Sequence, residues 1–157
     1  HITIRDNLIV HGETLLRLKT DGNRHRYATS LDATSSIHHN TFVAGPWTRS
    51  AVRLDDNPQP NRAAFRDNVI DATHAPDTAL ITPARQAMAS GHNAWCRPPP
   101  AAWRGPGDIV CFRPAGAAAV LPPDGPLRDA DFAPPADSPL VGRASDGATI
   151  GALEPNL

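Results

Sequence analysis

The stretch SSIHHNTFVAG, Ser35 to Gly45, decides how the whole chain is read. Ile37 and Phe42 bracket Asn40, three residues before it and two after. Alternation of this kind is the period of a strand with one buried face. The same arrangement recurs in ITIRDNLIV, AAFRDNVID and MASGHNAWC, centred on Asn7, Asn68 and Asn93. The asparagines are 33, 28 and 25 residues apart, so the motif is constant and the loops vary in length. Two residues after each asparagine stand Ile9, Phe42, Ile70 and Trp95. Three before stand Ile4, Ile37, Phe65 and Ser90, and five before stand Ile2, Ser35, Ala63 and Met88. The pattern weakens in the fourth unit, as expected near an end.

A second strand is expected between successive asparagines. LLRLKTD (15–21) aligns with AVRLDDN (51–57) and more loosely with ALITPAR (79–85), and DIVCFRP (108–114) reads as the last strand of this kind. Leu16 and Leu18 should stack on Val52 and Leu54, with Arg17 and Lys19 pointing outward over Arg53 and Asp55. Two short strands per unit and no helical period predict an all-β solenoid of about four coils. Each coil buries its apolar side only by stacking on the next, at about 4.8 Å per strand. The asparagines then form a ladder of amide hydrogen bonds. A leucine-rich repeat would need leucines around the asparagine and a helix per unit, and neither is present.

The totals narrow the class further. A chain of 157 residues is long enough for one domain. Its 15 basic and 16 acidic residues leave a net charge of −1. That balance argues against general nucleic-acid or membrane-surface binding, which needs a basic excess. All the basic residues but Lys19 are arginine, the side chain suited to bidentate grips on carboxylates. No segment has the ~20 apolar residues of a membrane-spanning helix. Residue 1 falls inside a strand-like run and no signal peptide opens the sequence, so missing upstream coils or a covering subunit are expected. The 17 prolines lie mostly after Pro76. Prolines cannot donate to a ladder, so Pro114 to Pro139 should be irregular structure laid along or over the last coil. The division expected is coils over 1–113 and a cap over 114–157.

These repeats resemble right-handed parallel β-helix proteins of the pectate-lyase-like superfamily. The resemblance rests on two alternating apolar residues before an asparagine and one after, as in ITIRDNLI and SSIHHNTF. The tail DFAPPADSPLVGRASDGATIGALE (131–154) is similar to a segment that often ends bacterial members, with Ser138-Pro139, Gly142, Asp146-Gly147 and Ile150-Gly151-Ala152 as its marks. The resemblance implies the fold and a secreted or periplasmic protein acting on carbohydrate. The fold hosts lyases, hydrolases, epimerases, tailspikes and adhesins, so it leaves activity open.

In the lyases of this family a substrate groove commonly runs along one sheet, and the chemistry is β-elimination from a uronic acid. A cation neutralises the sugar carboxylate so that the C5 proton becomes acidic, and a base removes it. Lys19, His25 and Arg53 are the candidates for those roles here. Arg17, Arg24, Arg26 and Trp47 are candidate contacts to an acidic polysaccharide, and Asp55 with Asp56 could hold Ca2+ as an alternative neutraliser. No family catalytic motif is matched residue by residue, and a solvated face of Arg–Asp pairs is the simpler reading of the same residues. Non-catalytic carbohydrate binding, as in an adhesin or tailspike, is the main alternative to a lyase. A hydrolase would need a carboxylate pair, for which Asp21, Asp55 and Asp56 are the clustered candidates.

The residues just before the asparagines are Asp6, His39, Asp67 and His92. Stacking sets His39 between two aspartates, which should favour its imidazolium. A line of stacked ligands is a poor metal cage, so a charge-complementary outer column is expected there. Cys96 and Cys111 flank a loop rich in Pro and Trp. Either a disulfide worth about 3 kcal/mol in a loop-entropy account or two buried thiols fits that spacing. Trp47 and Trp103 sit in loops, where packing beneath the loop competes with stacking on a sugar ring. Ser138-Pro139 and Asp146-Gly147 read as turns.

Overall fold

A computed structural model describes residues 2–19, 35–55, 63–83, 88–110 and 128–155, with Lys19 and Asp55 described in their backbone only. The first circuit of chain supplies β1 (Thr3–Arg5), β2 (Leu8–Val10) and β3 (Thr14–Lys19). The second supplies β4 (Ser36–His38), β5 (Thr41–Val43) and β6 (Ser50–Asp55), and the third β7 (Ala64–Arg66), β8 (Val69–Asp71) and β9 (Ala79–Thr82). Then follow β10 (Ala89–Gly91), β11 (Ala94–Trp95) and β12 (Ile109–Val110). They form three sheets: β1-β4-β7-β10 (sheet A), β2-β5-β8-β11-β12 (sheet B) and β3-β6-β9 (sheet C). Every strand pairing among the described residues is parallel. The described residues are therefore mostly strands in parallel sheets, and each of the first three circuits adds one strand to each sheet. No helix among the described residues is long and apolar enough to cross a membrane.

The registers follow the sequence columns. Ile4, Ile37, Phe65 and Ser90 align across sheet A. Ile9, Phe42, Ile70 and Trp95 align across sheet B, and Leu16, Val52 and Ile81 across sheet C. Phe42, Val52, Phe65, Ile70 and Trp95 are fully buried. The aromatic rings continue this stacking, Phe42 on Phe65 at 6.3 Å and Phe65 on Trp95 at 6.0 Å.

Between sheets A and B the chain turns on a single residue in the left-handed region. These are Asp6, His39, Asp67 and His92, with φ of 58°, 52°, 58° and 54°. Aspartate and histidine are among the non-glycine residues that tolerate this region best. The asparagine after each bend makes the ladder. The Asn7 N–H and Nδ2 both donate to Asn40 Oδ1, at 3.2 and 2.9 Å. Asn40 donates likewise to Asn68, and Asn68 to Asn93. Each Nδ2 also reaches backbone carbonyls, those of Ile37 and Arg66 for Asn68. In the fourth unit Ser90 stands where the others have an apolar residue, and its Oγ accepts from Asn93 Nδ2 at 3.0 Å.

The ladder has a fifth rung. Asn93 N–H donates to Asp108 Oδ1 at 2.8 Å, and Ile109 pairs with Ala94 in sheet B. This corrects the expectation for DIVCFRP: the segment begins a strand of the asparagine column, not of sheet C. The last rung only has to accept, so a carboxylate replaces the amide. Asp108 Oδ2 also accepts from the Trp95 indole N–H and the Gly105 N–H.

The closing end is covered by a loop. The loop 96–108 folds over the final coil, and its 3-10 turn Ala101–Trp103 buries Trp103 edge-on to Phe65 at 5.4 Å. Gly105 lies so close to Ser90 that any Cβ would collide with its carbonyl. The tail 128–155 does not cover the end; it lies along the outer face of sheet B. Leu140, Ala144 and Ile150 pack with Val69 and Ala94, and the Ala152 N–H donates to Thr41 Oγ1. Gly151, at φ 105°, has no room for a Cβ between Thr41 and Val69. This explains why β5 and β8 are buried on both faces, whereas β4 and β7 alternate. Residues 111–127, including Cys111 and Pro114, lie outside the described residues.

At the opposite end β1, β2 and β3 are edge strands. Ile2 is 45% exposed, and Ile4 and Ile9 are only half-buried, unlike their buried counterparts in later coils. His11 Nε2 is buried there without a hydrogen-bond partner among the described residues.

Asn68→Ala should cost on the order of 3–5 kcal/mol, because several buried groups that bond its side chain lose their partner together. Asn7→Ala, at the exposed edge, should cost about 1 kcal/mol or less. Urea denaturation of the two variants checks this order, and equal losses would argue against a ladder that acts through buried polar groups.

Candidate functional site

Sheet C carries part of the expected site. Arg17 and Arg53 are directly opposite on adjacent strands, both exposed, and Thr82 continues their column. Both arginines interact with other groups of the chain. Lys19 and Asp55 are register partners in the backbone. His25, Arg24, Arg26 and Asp56 lie outside the described residues, as do the side chains of Lys19 and Asp55. Trp47, in the turn before β6, is 83% exposed. The two loop tryptophans thus divide: Trp103 is core and Trp47 is surface. Among the described residues no three His, Cys, Asp or Glu side chains are grouped to hold a metal ion.

The bend column is more than a charged exterior strip, because it is where the tail docks. Asp67 is almost wholly buried. Its carboxylate accepts from Ser145 N–H and Ser145 Oγ, both at 2.6 Å, and its carbonyl accepts from Gly151 N–H. His39 Nε2 lies 3.0 Å from Asp146 Oδ2 and 4.0 Å from Asp67 Oδ2. His92 Nδ1 meets the Arg143 carbonyl. Asp146 does form the expected turn with Gly147, its Oδ1 accepting from Ala148 N–H. That N–H, and secondarily His39, hold its carboxyl below the usual carboxylate range. No local motif announces the second role of Asp146, since its partner is 107 residues away.

Tail and sheet B enclose a cleft lined by Thr41, Asp71, Asp131, Phe132 and Ser138 among others. Sequence reasoning missed this juxtaposition of Asp71 and Asp131, which only tail docking creates. Asp71 Oδ1 accepts from Thr73 N–H, and the Arg128 N–H keeps the Asp131 carboxyl low. The cleft has about 40 Å³ open to the centres of water molecules, room for at least a few waters. Cys96 beside it accepts from Ala72 N–H, and burial pushes its thiol up, which suppresses thiolate reactivity.

The outer face of sheet A gathers a second basic row. Arg5, His38 and Arg66 are in register on three adjacent strands. Beside them Thr3, Ser36, Ala64 and Ala89 form a parallel row of small side chains. Burial lowers the pKa of His38, and His39, Arg66 and Arg5 lower it further against the opposing pull of Asp6. With this geometry in hand, comparison with family models, curated proteins and solved structures yields no match.

Because its folded pKa is depressed, His38 resists a proton that the unfolded chain takes up. The unfolded state therefore binds more protons in the window below 6.5, and stability is lost as pH falls through the folded value. His38→Gln should flatten the decline in urea midpoint between neutral pH and that window. An unchanged pH profile would remove His38 as its cause.

Proposed function

We propose that this chain is the C-terminal part of a secreted, carbohydrate-active right-handed parallel β-helix, acting as a polysaccharide lyase on a uronate-containing polymer. The observation that carries this reading is the in-register pair Arg17 and Arg53 on the exposed face of sheet C. Two guanidinium groups on neighbouring strands concentrate positive charge on this face, beside the partners each already has within the chain, and such a face favours an anionic ligand. Arginine is also the side chain whose geometry matches a carboxylate through two parallel N–H bonds.

In β-elimination the carboxylate withdraws electrons from C5 only once its own charge is neutralised. The arginines supply that neutralisation, and it counts most where charge builds in the transition state. A base then takes the C5 proton as the C4–O4 bond breaks. Lys19 and His25 are the groups assigned to that proton by their place in sequence. In this reading further coils or a covering subunit occupy the open edge of β1, β2 and β3.

Non-catalytic carbohydrate binding is the second reading, favoured by Trp47, whose exposed indole offers a flat apolar face to a sugar ring. Incubation with alginate, pectin and chondroitin, with and without calcium, distinguishes the two by the absorbance of unsaturated uronate. Turnover that falls about a hundredfold or more in an Arg17→Gln/Arg53→Gln variant is the expected outcome. Binding without unsaturation, weakened by Trp47→Ala, would replace the lyase with the binding module. No binding and no turnover on any acidic polymer would end both readings.

A further inference from the structure

We propose that the row Arg5, His38 and Arg66 on sheet A is a second carboxylate-binding surface, which holds an acidic polysaccharide along the stacking axis. The proposal rests on the reading that the ligand is a polyuronate, and it adds a place and a direction of binding. Arg5 and Arg66 flank His38 in strict register, so their backbone positions stand two strand spacings apart, about 9.6 Å. A pyranose residue advances its polymer by roughly one strand spacing, so a chain lying along the axis presents its carboxylates in step with the strands. The row of Thr3, Ser36, Ala64 and Ala89 alongside has no long side chain to obstruct a sugar ring.

The arginines keep their binding forks available. Each makes one ion pair, whose contact runs through Nε: Arg5 with Asp6 at 3.4 Å and Arg66 with Asp67 at 3.9 Å. Their side chains are 64% and 52% exposed, which leaves the outer ends of both accessible. The two aspartates formally balance the two arginines, but they are committed differently. Asp67 is turned into the tail, where both its oxygens accept from Ser145. Asp6 is an exposed partner in a surface pair of small worth, which a ligand carboxylate can displace. Three of the four charged or titratable neighbours felt by His38, namely His39, Arg66 and Arg5, act on it as positive charges. An uncharged imidazole between two guanidinium groups can accept a sugar hydroxyl without repelling them.

The test measures the affinity of the full chain for polygalacturonate by calorimetry at two salt concentrations, with dextran as a neutral control. Arg5→Gln/Arg66→Gln should bind at least tenfold more weakly, with a shallower salt dependence and an unchanged thermal midpoint, because both side chains are exposed. Asp6→Asn, which removes the competing carboxylate while tolerating the left-handed bend, should bind more tightly than the parent. If the parent binds and Arg5→Gln/Arg66→Gln binds equally well, this row is not a ligand surface, while the Arg17–Arg53 reading survives. The row is also ruled out if dextran binding falls in parallel, since the loss would then not concern carboxylates. If the parent binds no acidic polymer at all, the functional reading fails and this inference fails with it.

Discussion

The side-chain amide of one asparagine per coil is the constraint on which the other features depend. It bonds both forward to the next rung and back to carbonyls of its own and the preceding coil, as Asn68 does. A slip of one residue would misplace these bonds and turn every core side chain outward. The ladder also has a direction, with each Oδ1 accepting from the rung before it. A terminal acceptor therefore needs no N–H, and Asp108 closes the series while holding Trp95 and the Gly105 loop. At the opposite end the same logic leaves Asn7 exposed and its flanking isoleucines incompletely covered.

The three sheets are not equivalent in what their outer faces meet. The tail packs on the outside of sheet B and encloses a small cleft there. Its attachment is polar at the bend and apolar over the strands. Asp67, His39 and His92 receive its backbone and short side chains, while Leu140 and Ile150 sit on Val69 and Ala94. Sheets A and C keep exposed arginines in register. The chain thus covers one face permanently and leaves charged rows on two others.

The fold was legible because its information is periodic. The columns at Ile4, Ile9 and Leu16 could be read from alternation, and they recur in the observed pairings without adjustment. What escaped was non-periodic. Asp108 follows Asn93 by only 15 residues and substitutes a carboxylate for the amide, so it broke both cues at once. Trp103 fills the core from a loop that carries no strand pattern. Ser145 and Asp146 meet residues 78 and 107 positions earlier, and nothing local in sequence encodes those distances. Of the expected site, Arg17 and Arg53 lie on the surface as their outward parity required, whereas loop position alone did not separate the exposed Trp47 from the buried Trp103. Arg5, His38 and Arg66 share a sequence column two residues before each asparagine, but nothing local in the sequence encodes the burial of Asp67 by the tail beside it.

The paired histidines show how one residue of offset separates two chemistries. His38 ends β4 with its side chain on the outer face of sheet A, level with Arg5 and Arg66. His39 is the bend itself, at φ 52°, and its ring is carried around the corner to Asp146 and Asp67. The rings still touch edge-on, with centroids 5.4 Å apart. Burial, with positive neighbours beside it, makes His38 resist protonation, while the Nε2 of His39 lies 3.0 Å from Asp146 and 4.0 Å from Asp67. Strand pleat puts the residue before the bend on a sheet face, and the left-handed turn puts the next one beneath the tail. The position before the bend is therefore exposed at Arg66 and half-buried at His38, whereas in the fourth coil Gly91 is buried against Pro106; the bend positions His39, Asp67 and His92 all meet the tail.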